Sequence, residues 1–498
     1  MRTPLPLLAA FFTVGIAFTG CMKDDDYTVS PNDRLTFSSD TIRFDTIISG
    51  EPTRTMSMAV YNTASKAIRI SRIGLAKGAD SPFHVNADGT QLFGGSAEDF
   101  EIPAQDSMVV FLMAKVPETG GAEPVDYTDQ LQFTTEAGTQ QSVTLTASGQ
   151  DVVRLQGKRI TEDETFSDAR PYRITDSLVV ETGKTLTLAA GTTLMFSSGA
   201  GLIVHGTLKV QGSLQSPVTL RGDRLDNMFT NQPYDRTPGL WEGIHLCNGS
   251  YGNVIEYADI HSAVNAVQAD SSNVSQEKLR LLNSIVTTSS QCGLNLRMCK
   301  AYVGNSQITN AGADCVRLRG GDLEMVHCTV GRFYVFTGAS GGHAIDFANF
   351  DGDSRLPLTR LEARSCIITG YQDDELMGNR STENETDAFN YHFDHCLLNT
   401  PAVTEGDEAV NFVSCLWDQK AEGTETDDPA NETIRAKNFT PEFNTSHLLF
   451  SFELAKDSKA VGNANPSDSS IFPTDRLGRT RSGNPDIGCY QHQEETKE

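Results

Sequence analysis

Basic residues are scarce beside acidic ones: 40 Lys and Arg stand against 65 Asp and Glu, a formal charge of −25. Nucleic-acid binding draws its affinity from a basic footprint on the phosphate backbone, so that class is excluded, as is a broad electrostatic hold on anionic lipid. A local basic patch is not excluded, because charges on one face act over a Debye length of about 8 Å. Tryptophan is nearly absent, with 2 in the chain, and no stretch sustains the apolar spacing of an amphipathic helix. With 42 glycines, that composition leaves β-structure broken by tight turns. After the first residues no apolar run approaches the roughly 20 residues of a membrane span. The GxSxG, HExxH, Walker and dinucleotide signatures are missing, and of 10 cysteines only Cys21 precedes Cys247.

What is present begins with Arg2, an apolar stretch from Leu5 to Phe18, and Phe18-Thr19-Gly20-Cys21. This resembles a bacterial lipoprotein signal with its lipobox, with Phe18 where the family pattern prefers Leu. The resemblance implies cleavage before Cys21, acylation of Cys21, and a membrane contact made only through the lipid. The following Met22-Lys23-Asp24-Asp25-Asp26 resembles the export tag of surface lipoproteins. The expected location is the outer membrane, facing the cell exterior, with residues 1–20 as signal and 21–34 as an acidic tether.

At 498 residues the chain exceeds what one core usually serves. Short alternating strands separated by turn signals fill 35–150, which predicts a β-sandwich of immunoglobulin type. The run "AVYNTASKAIRISRIGL", "FEIPAQDSMVVFLMA", "YTDQLQFTTEAGTQQSVTLTASG" resembles domains of centrosomal and ciliary proteins and of bacterial surface proteins, a family of spacers and interaction modules.

Residues 151–173 read as linker and cap, and from Ile174 a repeat takes over. Aliphatic pairs recur as Leu178/Val180, Leu186/Leu188, Leu194/Phe196, Leu202/Val204, Leu208/Val210 and Val218/Leu220. The expected alignment stacks Leu178 on Leu202, Leu186 on Leu208 and Leu194 on Val218, three short strands per coil. Further on, Ala258, Ser284, Ser306, Cys328, Cys366, Cys396 and Cys415 form a ladder of small residues. Two positions later Ile260, Val286, Ile308, Val330, Ile368, Leu398 and Trp417 form an apolar one. The cysteines are spaced as buried small side chains rather than as metal pairs. This predicts a right-handed parallel β-helix over 174–419, with 420–498 as a C-terminal coil and closing segment. The chain is thus expected to be all-β: an N-terminal immunoglobulin-like β-sandwich followed by the helix. "GKTLTLAAGTTLMFSSGAGLIVHGTLKVQG" and "WEGIHL" resemble the β-helix superfamily of pectate lyases and surface proteins. "DRLGRTRSGNPDIGCYQ" resembles the Asp-Ile-Gly-Ala-Tyr-Glu closing segment of bacterial β-helix surface proteins, with Cys489 and Gln491 replacing Ala and Glu.

A second ladder runs through Ile244, Val267, Leu294, Val316 and Ile345. Because side chains alternate along a strand, its outward positions are His245, Gln268, Asn295, Arg317 and Asp346, then Cys247, Asp270, Arg297, Arg319 and Ala348. From these His245, Asp270, Asn295, Arg297, Arg317, Arg319 and Asp346 are the expected ligand-binding set. Guanidinium forks pair bidentately with carboxylate or sulfate, which suits an acidic glycan. Asp270 and Asp346 stand three rungs of about 4.8 Å apart, too far to share a calcium ion. No cofactor and no metal set is therefore expected, calcium at "ANFDGDS" being a weak alternative. His392 and Asp394 are expected on the inward side with Cys396, and 371–387 as a loop. Catalytic residues are not identifiable. The expected partner is a polysaccharide or another surface protein, with a lyase or hydrolase and purely structural display as alternatives.

Overall fold

The computed structural model describes residues 27–229, 232–336, 341–383, 386–418, 437–439 and 448–493. Cys21 and the tether from 22 to 26 lie outside them. The chain divides into two compact units, one built mainly on 52–116 and 127–147 and the other on 148–498.

The first is the expected antiparallel sandwich. One five-stranded sheet orders Leu35–Phe37, Met56–Asn62, Ser107–Ala114, Phe83–Ala87 and Thr90–Gln91, the other Thr41–Ile48, Gln140–Gln150, Val125–Thr135, Ile68–Leu75 and Ser96–Ile102. Alternation builds it: along Ser107–Ala114, Met108, Val110, Leu112 and Ala114 are buried while Val109 and Phe111 are exposed. That period of two is what a strand with one dry face requires.

The second unit is a right-handed parallel β-helix. Along an 11-stranded sheet, Ile260, Val286, Ile308, Val330, Ile368, Leu398 and Trp417 stand in register on successive coils. Along a 17-stranded sheet that covers the rest of the wall, Ile244, Val267, Leu294, Val316, Ile345 and Leu376 do the same. Each strand is too short to be stable alone, and stacking gives it two parallel neighbours and a continuous dry interior.

Three sequence expectations change here. Leu194 pairs with Leu220 rather than Val218, because buried Thr192 takes the inward place before it and donates to the Phe166 carbonyl, 3.0 Å. A threonine is invisible to an apolar pattern. The segment 371–387 is not simply a loop: Leu376–Asn379 pairs with Ile345–Ala348. Glu375 is fully buried, its carboxylate accepting the backbone N–H groups of Ala344 at 2.8 Å and Gln372 at 2.9 Å.

The third change lies at a corner. The residue before each small ladder member is left-handed: Tyr257, Asn283, Asn305, His327, Ser365, His395 and Ser414 have φ between 46° and 52°. That single-residue bend restarts the alternation. Phe393 therefore points inward, and His392 faces out, its Nδ1 2.9 Å from Glu362 Oε1. Asp394 Oδ2 accepts from Asn465 Nδ2 at 3.0 Å.

Cys328, Cys366 and Cys396 are free and buried in their ladder, where they fill space as small apolar groups. The Sγ of Cys328 donates to Val303 O at 3.4 Å and that of Cys396 to Ala363 O at 3.3 Å.

The closing segment runs along the outward side of the 11-stranded sheet. Tyr490 donates its hydroxyl to Gln307 Oε1 at 2.7 Å, Cys489 N–H donates to Thr329 Oγ1 at 3.1 Å, and Gly488 N–H to Ser365 O at 2.9 Å. Phe333, Ile367, Leu397, Phe452, Leu454, Ile487 and Cys489 form a second dry cluster between them. Among the described residues, this clasp buries one face of the helix and leaves the ligand-set face open.

Candidate functional site

The outward positions of the second ladder form two columns on one face. Register places His245, Gln268, Asn295, Arg317 and Asp346 side by side on successive coils, and Arg297 beside Arg319 beside Ala348. Asp270 follows Ala269 directly and so belongs with Arg297. Gly243 starts the strand that carries His245: its φ is +102° and a Cβ would stand 1.7 Å from Asn265 O, so only glycine lets the next coil approach this closely.

Gln268, Ala269, Asp270, Asn295, Arg297, Arg317, Arg319 and Asp351 line one concavity of about 300 Å³. Each guanidinium in it already has a carboxylate. Arg297 Nε donates to Asp351 Oδ2 at 2.8 Å and its Nη1 to Ser271 Oγ at 2.7 Å. Arg317 Nε donates to Asp314 Oδ2 at 2.7 Å. Arg319 makes a fork on Asp346, 2.6 and 3.1 Å. The side chains of Arg297 and Arg317 remain 40% and 33% exposed, that of Arg319 only 18%.

The row is therefore not a free cationic strip, which corrects the expectation of an acidic-glycan clamp. Three Arg meet Asp270, Asp314, Asp346 and Asp351, so the site is close to neutral. The cause is compositional: with acids in such surplus, an arginine on this surface finds a carboxylate. Asp270 and Asp346 are engaged separately, Asp346 by Arg319 and Asp270 by His245, whose Nε2 lies 2.9 Å from Asp270 Oδ2. Asp351 of "ANFDGDS" is held by Arg297, and Asn349 is buried and accepts Ser381 N–H at 2.8 Å.

A second concavity, about 380 Å³, lies on the outward side of the 11-stranded sheet. Asp235, Asp259, His261, Thr287, Gln307, Phe450, Glu453, Arg476 and Tyr490 are among the residues that line it. Asp259 Oδ1 is 3.1 Å from His261 Nδ1. Burial pushes the Asp259 carboxyl up, but the charges of His261, Arg476 and Arg221 outweigh it and hold the group below its ordinary value. Trp241 Nε1 donates to the His261 carbonyl at 2.9 Å. Sequence reasoning missed this cavity because its walls come from strands near 260–310 and from the clasp beyond 448. Only the alternating Asp259 and His261 on an outward side hinted at it.

No family model matches the chain. Over 90 residues, 17% of its length, it is 35% identical to Protein bark beetle of Drosophila melanogaster, and the aligned part spans 3% of that protein. Among solved structures, the catalytic unit of a thermostable GH87 alpha-1,3-glucanase from Streptomyces thermodiastaticus aligns over 75% of this chain and 90% of its own, at 12% identity and a TM-score of 0.26. The ASH/PapD-like domain of human CEP192 aligns over 30% of this chain and 99% of its own, at 11% identity and a TM-score of 0.17. The fold assignment rests on the strand registers rather than on these similarities.

Proposed function

We propose that the chain is an exported, lipid-anchored surface protein whose β-helix binds a neutral polysaccharide along its Arg-bearing face. The observation that supports this most directly is the concavity itself. Amide, carboxylate and guanidinium groups from three consecutive coils converge on one space, at a repeat of about 4.8 Å per rung. Planar groups already locked in ion pairs keep donors and acceptors to spare for hydroxyls, and being preorganised they lose little entropy on binding.

The test is retention of the purified protein on immobilised neutral glucans, polygalacturonate and a sulfated galactan, at low and high salt. Retention on a neutral polymer, insensitive to salt and weakened about tenfold or more by Asn295→Ala with Arg297→Ala, is the expected result; that loss equals roughly 1.4 kcal/mol, the scale of one charge-assisted hydrogen bond. Salt-sensitive retention on the acidic polymers alone would restore the acidic-glycan reading. Retention on none would leave structural display.

Hydrolysis is the second reading, favoured by the carboxylates Asp235, Asp259 and Glu453 on the other cavity. It requires new reducing ends in the same panel and their loss in Asp259→Asn.

The anchor part of the proposal rests on Cys21. Acylation needs its thiol, so Cys21→Ala should lose fatty-acid labelling and leave the membrane fraction. Unchanged labelling would remove the lipobox from the reading.

A further inference from the structure

Beside the glycan face stands a group of three side chains that the sequence reading treated separately and did not read as a metal set. His245 and Cys247 lie two residues apart where the strand Gly243–Leu246 ends, and Asp270 occupies the matching place on the next coil. A ring nitrogen of His245, Cys247 Sγ and a carboxylate oxygen of Asp270 all lie within 4.8 Å of one another.

We infer that His245, Cys247 and Asp270 form a site for a divalent transition metal, zinc in the first instance, with its fourth position open to the groove. The geometry is within reach of this. Zinc takes nitrogen and oxygen ligands at about 2.0–2.2 Å and sulfur at about 2.3 Å, so tetrahedral donors stand roughly 3.3–3.6 Å apart. His245 Nε2 and Asp270 Oδ2, now 2.9 Å apart, need only separate slightly, while the thiol closes in.

The donor set argues for the kind of metal. Thiolate with imidazole selects zinc and its neighbours over calcium or magnesium, which prefer all-oxygen shells. Thiolate and carboxylate together balance a 2+ ion. On binding, the Cys247 S–H bond breaks, its proton leaves to solvent, and the sulfur pair forms the bond to the metal.

The frame is already held. Lys278 is fully buried, and its ammonium donates to the carbonyls of Cys247 at 2.5 Å and Ser250 at 3.2 Å, which pins the turn carrying Cys247. Gln268 Nε2 donates to the second oxygen of Asp270, 3.4 Å, the outer-shell support that orients a ligating carboxylate. Gln268 and Asp270 line the groove, so three protein ligands leave the remaining position on that side. Three ligands plus an open place is the arrangement of zinc sites that bind an exogenous group, whereas structural sites are closed by four.

The experiment uses the reduced, metal-free, tag-free chain, titrated with Co2+ and then Zn2+ in the absence of any polysaccharide. Its outcome is therefore independent of whether the glycan reading stands. The expected result is one equivalent of Co2+ with the intense near-ultraviolet band of a cobalt–thiolate bond, displaced by Zn2+. Cys247→Ser should remove that band, and His245→Ala and Asp270→Asn should each weaken zinc at least tenfold, while Asn295→Ala on the same face leaves it unchanged. Far-ultraviolet circular dichroism identifies any variant that has failed to fold; Asp270→Asn, partly exposed and isosteric, serves as the arbiter. Absence of the thiolate band in the wild-type chain, or zinc affinity unchanged in Asp270→Asn and His245→Ala, overturns the proposal.

Discussion

Trp241→Ala is expected to cost about 3–5 kcal/mol of β-helix stability, the range for truncating a large buried aromatic. Trp241 is fully buried and stacks on Phe196, ring centroids 4.4 Å apart and planes 10° from parallel. Deleting the indole opens a cavity between coils that cannot slide together, because each is fixed by parallel pairing to the next. The same change removes the Nε1 donor from the His261 carbonyl and so loosens the strand that places Asp259 and His261 on the second cavity. Trp241→Phe separates the two effects: it keeps the stack and loses the hydrogen bond, at roughly 1–3 kcal/mol. Urea unfolding followed by circular dichroism measures both. Equal midpoints for the alanine variant and wild type would show that this stack contributes nothing to the helix.

The inner wall of the β-helix was legible because its determinants are local and repeated. Ile260 to Trp417 and Ile244 to Ile345 each recur in one register, and alternation along a strand then says which neighbours face out. Legibility failed where one residue changes the rule. Thr192 is a polar residue in an inward place, and the left-handed His395 resets the parity so that His392 faces out. The candidate site was legible in its positions and not in its charge. Arg317 finds Asp314 three residues away, but Arg297 finds Asp351 across 54 positions, on the hairpin that pairs Phe350–Asp351 with Ser354–Arg355, whose placement no pattern in the strand announces. The triad of His245, Cys247 and Asp270 shows the same limit: outward direction could be read for each, but the approach of their sulfur, nitrogen and oxygen atoms to within 4.8 Å of one another is a fact of three dimensions.

Lowering the pH from 7 to 5 is expected to destabilise the β-helix and its clasp through His327, with a slope that His327→Asn removes. His327 is fully buried at the left-handed corner, φ 50°, with its ring against the clasp backbone at Gly488 and Asp486. Burial pushes its pKa well below the ordinary 6.5, and the guanidiniums of Arg481, on the clasp, and Arg364 push it the same way; the backbone near Gly488 and Asp486 works against them. The unfolded chain takes a proton on this histidine near pH 6.5 while the folded chain does not, so below that pH the unfolded state binds more protons. Stability is therefore complete above about 6.5 and is lost as the pH falls through and below it, by at most about 1.36 kcal/mol per pH unit. Asparagine is the suitable replacement, because Asn283 and Asn305 occupy the same corner on the two preceding coils at φ 51° and 50°. Other carboxylates titrate in both proteins, so the difference between the two stability curves isolates His327. Parallel curves for wild type and His327→Asn between pH 7 and 5 would mean that the histidine is protonated without cost in the folded chain, and that acid acts on the clasp elsewhere.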